Sequence, residues 1–518
     1  MRFRLLPAIL LASSFSVQAA DWPQWRGPMR NGVTAESVRL LEKLPKGDLP
    51  VVWESEPIPS ADDGGLGSVV VSGGRAYLSV VWHREEPSES RQINELVVRQ
   101  LGHQPLGALG PELVGKMEET RAGLSPALRG KKLEEFTQEW IAANLDKKQE
   151  QLFAGYVANR FKKGALALPL EALDKLAGQQ QRVFASDGEL RAWLDAEKFS
   201  EDVKKQVLEA VPPTRRVAED TVICLDVASG RTIWKVSATG EPTGRNSSST
   251  PCVAEGRVFA LGSVNAHAVD AESGKLLWSV PLMQKGPGSS PLFVNGVIVV
   301  NAKMLYALDA ATGLERWKQP KAGGGNSSPV SWTVNGRALV ICNGRAALDA
   351  VDAATGELVW SVDGAGDSTP AIAGDLLVVQ GRKPQPGLVA YRLKVDAPEL
   401  LWTAPSDALR NQSSPIVHEG AVILADNDAQ ACYDAATGAQ RWTAAVSGSI
   451  ASPVVADGKL FCLINNGNNL AMLRVDGATR VELGKAHVKA AWVPSPAIAD
   501  GRLFLRLKDR VRCYRLTP

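Results

Sequence analysis

Gly288-Ser-Ser-Pro-Leu-Phe-Val-Asn-Gly-Val-Ile-Val-Val-Asn-Ala-Lys-Met-Leu-Tyr-Ala-Leu-Asp-Ala-Ala-Thr-Gly-Leu-Glu-Arg-Trp317 is one turn of a pattern that returns about every 40 residues from Thr221 to the C-terminus. It holds a hydroxyl pair with proline, then four short apolar runs separated by turns. Four strand patterns per unit at this period mark a β-propeller, one unit to a blade. Tryptophan keeps the same period: Trp234, Trp278, Trp317, Trp360, Trp402 and Trp442 are spaced 44, 39, 43, 42 and 40 residues apart.

Blade starts fall at Ser249-Thr-Pro251, Ser289-Ser-Pro291, Ser327-Ser-Pro329, Ser368-Thr-Pro370, Ser413-Ser-Pro415, Ala451-Ser-Pro453 and Pro494-Ser-Pro496, with a proline-free start at Gly67-Ser68. Proline suits the first residue of a strand, where its missing N–H removes no ladder bond. The last start leaves room for three strands only. Val51-Val-Trp53-Glu-Ser55 matches Leu276-Leu-Trp278-Ser-Val280 and has no blade start before it. The expected fold is therefore all-β, an eight-bladed propeller closed by its N-terminal strand, which removes the exposed edges of an open sheet. The recurring Asp226-x-x-Ser-Gly230, Asp270-x-x-Ser-Gly274, Asp309-x-x-Thr-Gly313, Asp352-x-x-Thr-Gly356 and Asp434-x-x-Thr-Gly438 read as structural turns, not as catalytic acids.

Blade one is interrupted. Its second strand pattern ends near Trp82 and its third resumes at Thr221; residues 83–220 between them lack strand alternation. Phe136, Trp140, Ile141, Leu145, Leu152, Phe153, Tyr156 and Val157 recur mostly at three- and four-residue steps, the spacing of an amphipathic helix. A helical insertion here is expected to stand beside the channel mouth, as a cap or as an ornament of the rim. The organisation expected is thus a signal peptide at 1–20, the closing strand and first half of blade one at 21–82, the insertion at 83–220 and the rest of the propeller at 221–518.

Arg2 and Arg4 precede an apolar stretch from Leu5 to Val17, followed by small residues at Ala19 and Ala20. That is a secretory signal with cleavage near Ala19–Asp21, and the expected location is periplasmic or secreted. No cysteine follows the apolar stretch to carry a lipid, and no later stretch is long enough to span a membrane. A net charge of +2, with no run of five like charges, offers nothing to nucleic acid. Cys224, Cys432 and Cys513 share the repeat position of Ala307, so ring geometry holds them apart, and all six cysteines read as buried thiols. Five histidines form no metal-spaced cluster, and neither a nucleophile elbow nor a phosphate loop occurs.

Ala307-x-Asp309-x-x-Thr312-Gly313-x-x-x-Trp317 resembles the tryptophan-docking motif of the propeller family named after pyrroloquinoline quinone (PQQ), which includes quinoprotein dehydrogenases and the assembly lipoprotein BamB. Asp21-Trp-Pro-Gln-Trp25-Arg-Gly-Pro28 with Asn31-Gly32 is similar to the start of exported PQQ-like repeat proteins. The resemblance covers residues 21–82 and 221–518. It implies the fold; for a PQQ enzyme it also implies a vicinal cysteine pair, Glu, Asn and Asp ligands for calcium, and an Asp base. No two cysteines are adjacent in this chain, and no Cys-x-x-Cys-His haem site is present.

The expected site is the channel mouth. Arg245, Asn246, Asn326, Arg410 and Asn411 belong to loops leading into first strands, and His267, Lys303, Arg345, Arg382, Asp426, Asn465 and Lys508 to loops between second and third strands. Such a polar, mostly cationic ring suits an anionic or polar small molecule, or a protein partner. Alternatively, the hydroxyl and amide side chains satisfy strand-end backbone groups. The expected function is non-catalytic binding with no cofactor. The alternatives are a PQQ- and Ca²⁺-dependent dehydrogenase with an atypical site, and a BamB-like envelope-assembly scaffold.

Overall fold

A computed structural model of the chain describes residues 21–34, 38–58, 65–243, 247–381, 387–405, 412–426, 428–475 and 478–518. The protein is predominantly β, 40% strand against 17% helix, and the two kinds of structure segregate along the chain. One compact unit draws on Met1–His83 and Ala218–Pro518, the other on Arg84–Val217.

Among the described residues the first unit contains eight sheets of at least four strands. We number them by their first strands: Val70–Ser72, Cys252–Ala254, Leu292–Val294, Val330–Val334, Ala371–Ala373, Ile416–His418, Val454–Ala456 and Ala497–Ala499. In sheets one to seven the four strands lie side by side in chain order; in sheet eight the fourth place is taken by Val51–Glu54, antiparallel to Val511–Arg515. Gly47–Asp48 adds a parallel fifth strand to sheet seven.

Each sheet is tied to the next by one buried hydrogen bond at its proline-flanked start. The backbone N–H of Ser68 donates to Thr250 Oγ1, Thr250 to Ser290, Ser290 to Ser328, Ser328 to Thr369, Thr369 to Ser414, Ser414 to Ser452, Ser452 to Ser495, and Ser495 back to Ser68. The distances run from 2.8 to 3.0 Å. The recurring hydroxyl before proline thus has a structural role, linking the start of each sheet to the next in a β-propeller fold.

The tryptophan period has an equally local cause. Third and fourth strands pair a small residue with the large ring: Cys224 with Trp234, Ala268 with Trp278, Ala307 with Trp317, Ala350 with Trp360, Ala390 with Trp402, Cys432 with Trp442, and Cys513 with Trp53. Five of these rings then reach the turn of the next sheet. Trp53, Trp234, Trp278, Trp317 and Trp402 donate from Nε1 to the carbonyls of Val227, Ala271, Ala310, Ala353 and Ala435. Gly230, Gly274, Gly313, Gly356 and Gly438 lie flat against the same rings, so close that a Cβ would collide with them. Trp360 and Trp442 have no indole partner among the described residues; they face sheets five and seven, whose sequences have no Asp-x-x-Ser/Thr-Gly turn. The turn aspartates are structural, as read: Asp309 Oδ1 accepts from the backbone and hydroxyl of Thr312 at 2.8 and 2.7 Å, and those bonds with Arg316 hold its carboxyl down at about 2.

All six cysteines are free and buried. Burial pushes Cys224 and Cys252 up to about 11 and Cys462 and Cys513 up to about 12, leaving almost no thiolate at neutral pH. We expect none to react with iodoacetamide at pH 8 in the native protein, and all six to be labelled after unfolding without reductant. A mass short by the labels of one cysteine pair would refute this.

The second unit holds seven described helices, among them Lys131–Asn144 and Lys147–Lys163. The apolar spacing from Phe136 to Val157 predicts one helix; the structure has two. Asp146 ends the run by accepting from the Gln149 N–H while Gln149 returns a bond to the Asp146 N–H, the reciprocal pattern of a helix start. Leu152 consequently points outward at 53% exposure, whereas Phe153, Tyr156 and Val157 are buried. The strands that carry the chain into and out of this unit are longer than expected, Arg75–Pro87 and Thr214–Asp226. Thr214 donates to Glu85 at 2.8 Å and Arg216 lies 3.6 Å from it, polar pairs that hide the strand character of this stretch from its sequence.

Candidate functional site

Residues 21–34 touch the first strands of several sheets. Asp21 caps the tight turn of sheet one, accepting from Ser72 Oγ at 2.8 Å and the Gly73 N–H at 3.0 Å. Trp22 bridges to Val71, Pro23 accepts from Val253 of sheet two, and Val33 bridges to Val455 of sheet seven. Three turns fold the segment: Gly27 N–H to Gln24 O, Arg30 to Gly27, and Gly32 to Arg26. Gly27, at φ +80°, presses on the Trp22 ring, where a Cβ would sit 2.7 Å from Cζ3. Sheets two and seven are not neighbours in the order of hydrogen-bonded starts, so a segment touching both crosses from one to the other.

Two arginines point into that crossing. Arg26 Nη2 donates to Pro415 O of sheet six and, at 3.1 Å, to Asn31 O. Arg30 donates from Nη1 to Pro291 O at 2.8 Å and from Nη2 to Ser290 O at 3.1 Å, both at the start of sheet three, and from Nη1 to Gln24 Oε1 of its own segment at 3.1 Å. They are 1% and 2% exposed. Both have left-handed backbones, φ +63° and +54°, a strained state for a long side chain that costs about 1–2 kcal/mol each. No carboxylate pairs with either among the described residues. Burial, then the charge of Arg30, pushes Arg26 down to about 9; burial pushes Arg30 down to about 10. Both stay charged at neutral pH.

The residues expected at the mouth divide. Lys303, Arg345, Asn465 and Lys508 are exposed. Lys303 and Arg345 flank Gly324: a Cβ there would lie 3.2 Å from Lys303 O and 3.5 Å from Arg345 Cβ. Gly323, Gly324 and Gly325 all have φ near +80°. Asn326 is half-buried, its amide donating to Asp367 at 3.1 Å. Asp426 is buried. His267 is buried too, not open to the mouth. Its Nε2 is 3.1 Å from Asp220 Oδ2, and Asp220 also accepts from the Ser263 N–H at 2.7 Å. Gly240 and Gly262 pack against that carboxylate with no room for a side chain. Arg245, Asn246, Arg382, Arg410 and Asn411 lie outside the described residues. Like Arg26 and Arg30, Arg506 was not foreseen: it is 1% exposed, its Nε donates to Gly65 O, and its terminal nitrogens have no partner among the described residues.

Among the described residues the buried acids do not gather as donors for a calcium ion. The buried acids Asp220, Asp349 and Asp426 belong to sheets one, four and six, and Asp349 is held by the Gly323 N–H at 3.0 Å and Ser361 Oγ at 2.8 Å. Among the described residues no three His, Cys, Asp or Glu side chains gather as a metal site, and no helix is long and apolar enough to cross a membrane.

Residues 218–326, 301–432 and 393–508 each match the family model described as outer membrane protein assembly factor BamB. Among solved structures, BamB from Moraxella catarrhalis is 17% identical, covering 57% of this chain and 88% of its own, with a TM-score of 0.47. A quinohemoprotein alcohol dehydrogenase from Pseudomonas putida HK5 is 14% identical over 58% of this chain and 72% of its own, at 0.42. A europium-containing methanol dehydrogenase is 13% identical over 56% and 80%, at 0.41. None of the curated proteins matches. The three family matches together run from residue 218 to 508, more than half of the sequence, and the chain belongs to the PQQ-like propeller family described by that BamB model.

Proposed function

We propose that the protein is an exported propeller of eight blades, closed by Val51–Glu54 and interrupted in blade one by the helical stretch 83–220, that binds a ligand or partner at one channel mouth without chemistry. The cycle of hydroxyl hydrogen bonds supports the closed ring. The reading of function rests on one observation: Lys303 and Arg345 stand exposed beside one triple-glycine loop, and neither has an anionic partner among the described residues. At 4 Å two such charges in water repel by about 1 kcal/mol, less in salt. An acidic segment or small anion relieves this. The family description favours a protein partner.

The test is capture of envelope proteins by the wild-type chain and by Lys303→Gln/Arg345→Gln. The double variant should fold normally and bind its partner about 10-fold more weakly at low ionic strength, with the difference shrinking in salt. Affinity indifferent to both changes would move the site elsewhere. Dye-linked alcohol oxidation on adding PQQ and Ca²⁺ would replace this reading with the dehydrogenase.

A further inference from the structure

We propose that Arg26 and Arg30 form a binding site for a small oxyanion, a phosphate or carboxylate, inside the cycle of first strands. The inference is independent of the rim. Three observations converge on it.

The donors are there and unused. Of the ten guanidinium N–H groups, those on Arg26 Nε and Nη1 and on Arg30 Nε are buried and have no partner among the described residues. The groups that are used point only to neutral acceptors: carbonyls of Asn31, Pro291, Ser290 and Pro415, and the Gln24 amide. Carbonyls can orient a guanidinium but do not neutralise it.

The charges are uncompensated. A buried ion ordinarily has a counter-ion, because desolvation costs several kcal/mol that neutral acceptors only partly offset. Here two ions of one sign lie close enough for the charge of Arg30 to depress Arg26.

The arginines are also positioned at a cost. Left-handed non-glycine backbones concentrate where strain is part of a ligand clamp, and both arginines of this segment have one. Turns to Gln24, Gly27 and Arg26 carbonyls fix the two side chains before any ligand arrives. The chemistry selects the ligand: cationic N–H donors from two sides hold an oxyanion through charge-assisted hydrogen bonds to its separate oxygens, which a spherical halide does not offer. Exposures of 1% and 2% restrict it to a small group.

Equilibrium dialysis of the folded wild-type protein against inorganic phosphate, with chloride at equal ionic strength as the control, should find one site per chain; acetate in place of phosphate tells carboxylate from phosphate preference. Arg26→Gln and Arg30→Gln should each weaken binding at least 10-fold. Should either variant misfold, crystals of the wild type soaked in selenate locate the ion by anomalous scattering, and it should lie between the two guanidinium groups. No binding of phosphate or acetate beyond the chloride control overturns the proposal. So does selenate found elsewhere, or binding that survives in folded variants.

Discussion

Removing residues 21–56 should leave a chain that aggregates or melts far below the full-length protein. The deletion takes away Val51–Glu54, so Val511–Arg515 becomes an edge with an unpaired row of N–H and C=O groups, a template for association. It also takes away Trp53, whose ring packs on Gly230 and whose indole bonds Val227 O at 2.8 Å. Trp22, Leu40, Leu44 and Leu49 leave the same core cluster. Each buried large apolar side chain is worth about 1.5–3 kcal/mol, so their sum alone rivals the stability of an ordinary domain. Size-exclusion chromatography and thermal melting decide it: a truncated protein that is monomeric and melts with the intact one would mean that sheet eight needs no fourth strand.

Gly356→Ala should cost about 3 kcal/mol, and Gly336→Ala about 1 kcal/mol. Both glycines sit at almost the same backbone angle, φ +74° and +76°, so both variants incur the left-handed penalty of about 1–2 kcal/mol. Only Gly356 faces an obstacle: a Cβ there would be 2.6 Å from two atoms of the buried Trp317 ring, whereas nothing lies within 4 Å of Gly336. The excess reports the overpacking term, typically 1–3 kcal/mol. Urea unfolding of the two variants measures it, and equal losses would show that the ring yields without cost.

Much of the fold is legible because its causes repeat. A small residue opposite tryptophan, a glycine under it, and a hydroxyl before proline recur with each unit, so period alone exposes them. The fourth strand of sheet eight was readable because Val51-Val-Trp53 copies that unit. Lys303 and Arg345 were readable on the same ground, since position within the repeat places them on adjacent loops. Arg26 and Arg30 were not. They occur once, outside any repeat, and their acceptors are backbone carbonyls some 260 and 389 residues away, which no side-chain pattern records. His267 misleads for a related reason: its partner Asp220 is 47 residues distant, in a different sheet. Period puts a residue at the end of a strand but does not say whether a neighbouring sheet has covered it.

The bond from Ser495 to Ser68 spans 427 residues, and Val51–Glu54 finds its sheet only in Val511–Arg515. Contacts of such sequence separation form late, because the whole intervening chain must be ordered before they repay its entropy. While the chain emerges from the ribosome, Val51–Glu54 has no partner strand until Val511–Arg515 has been made. Sheets two to six can each assemble from neighbouring residues in the meantime. Joining these distant strands is therefore a late step of folding, and the intermediate that precedes it carries an open sheet edge.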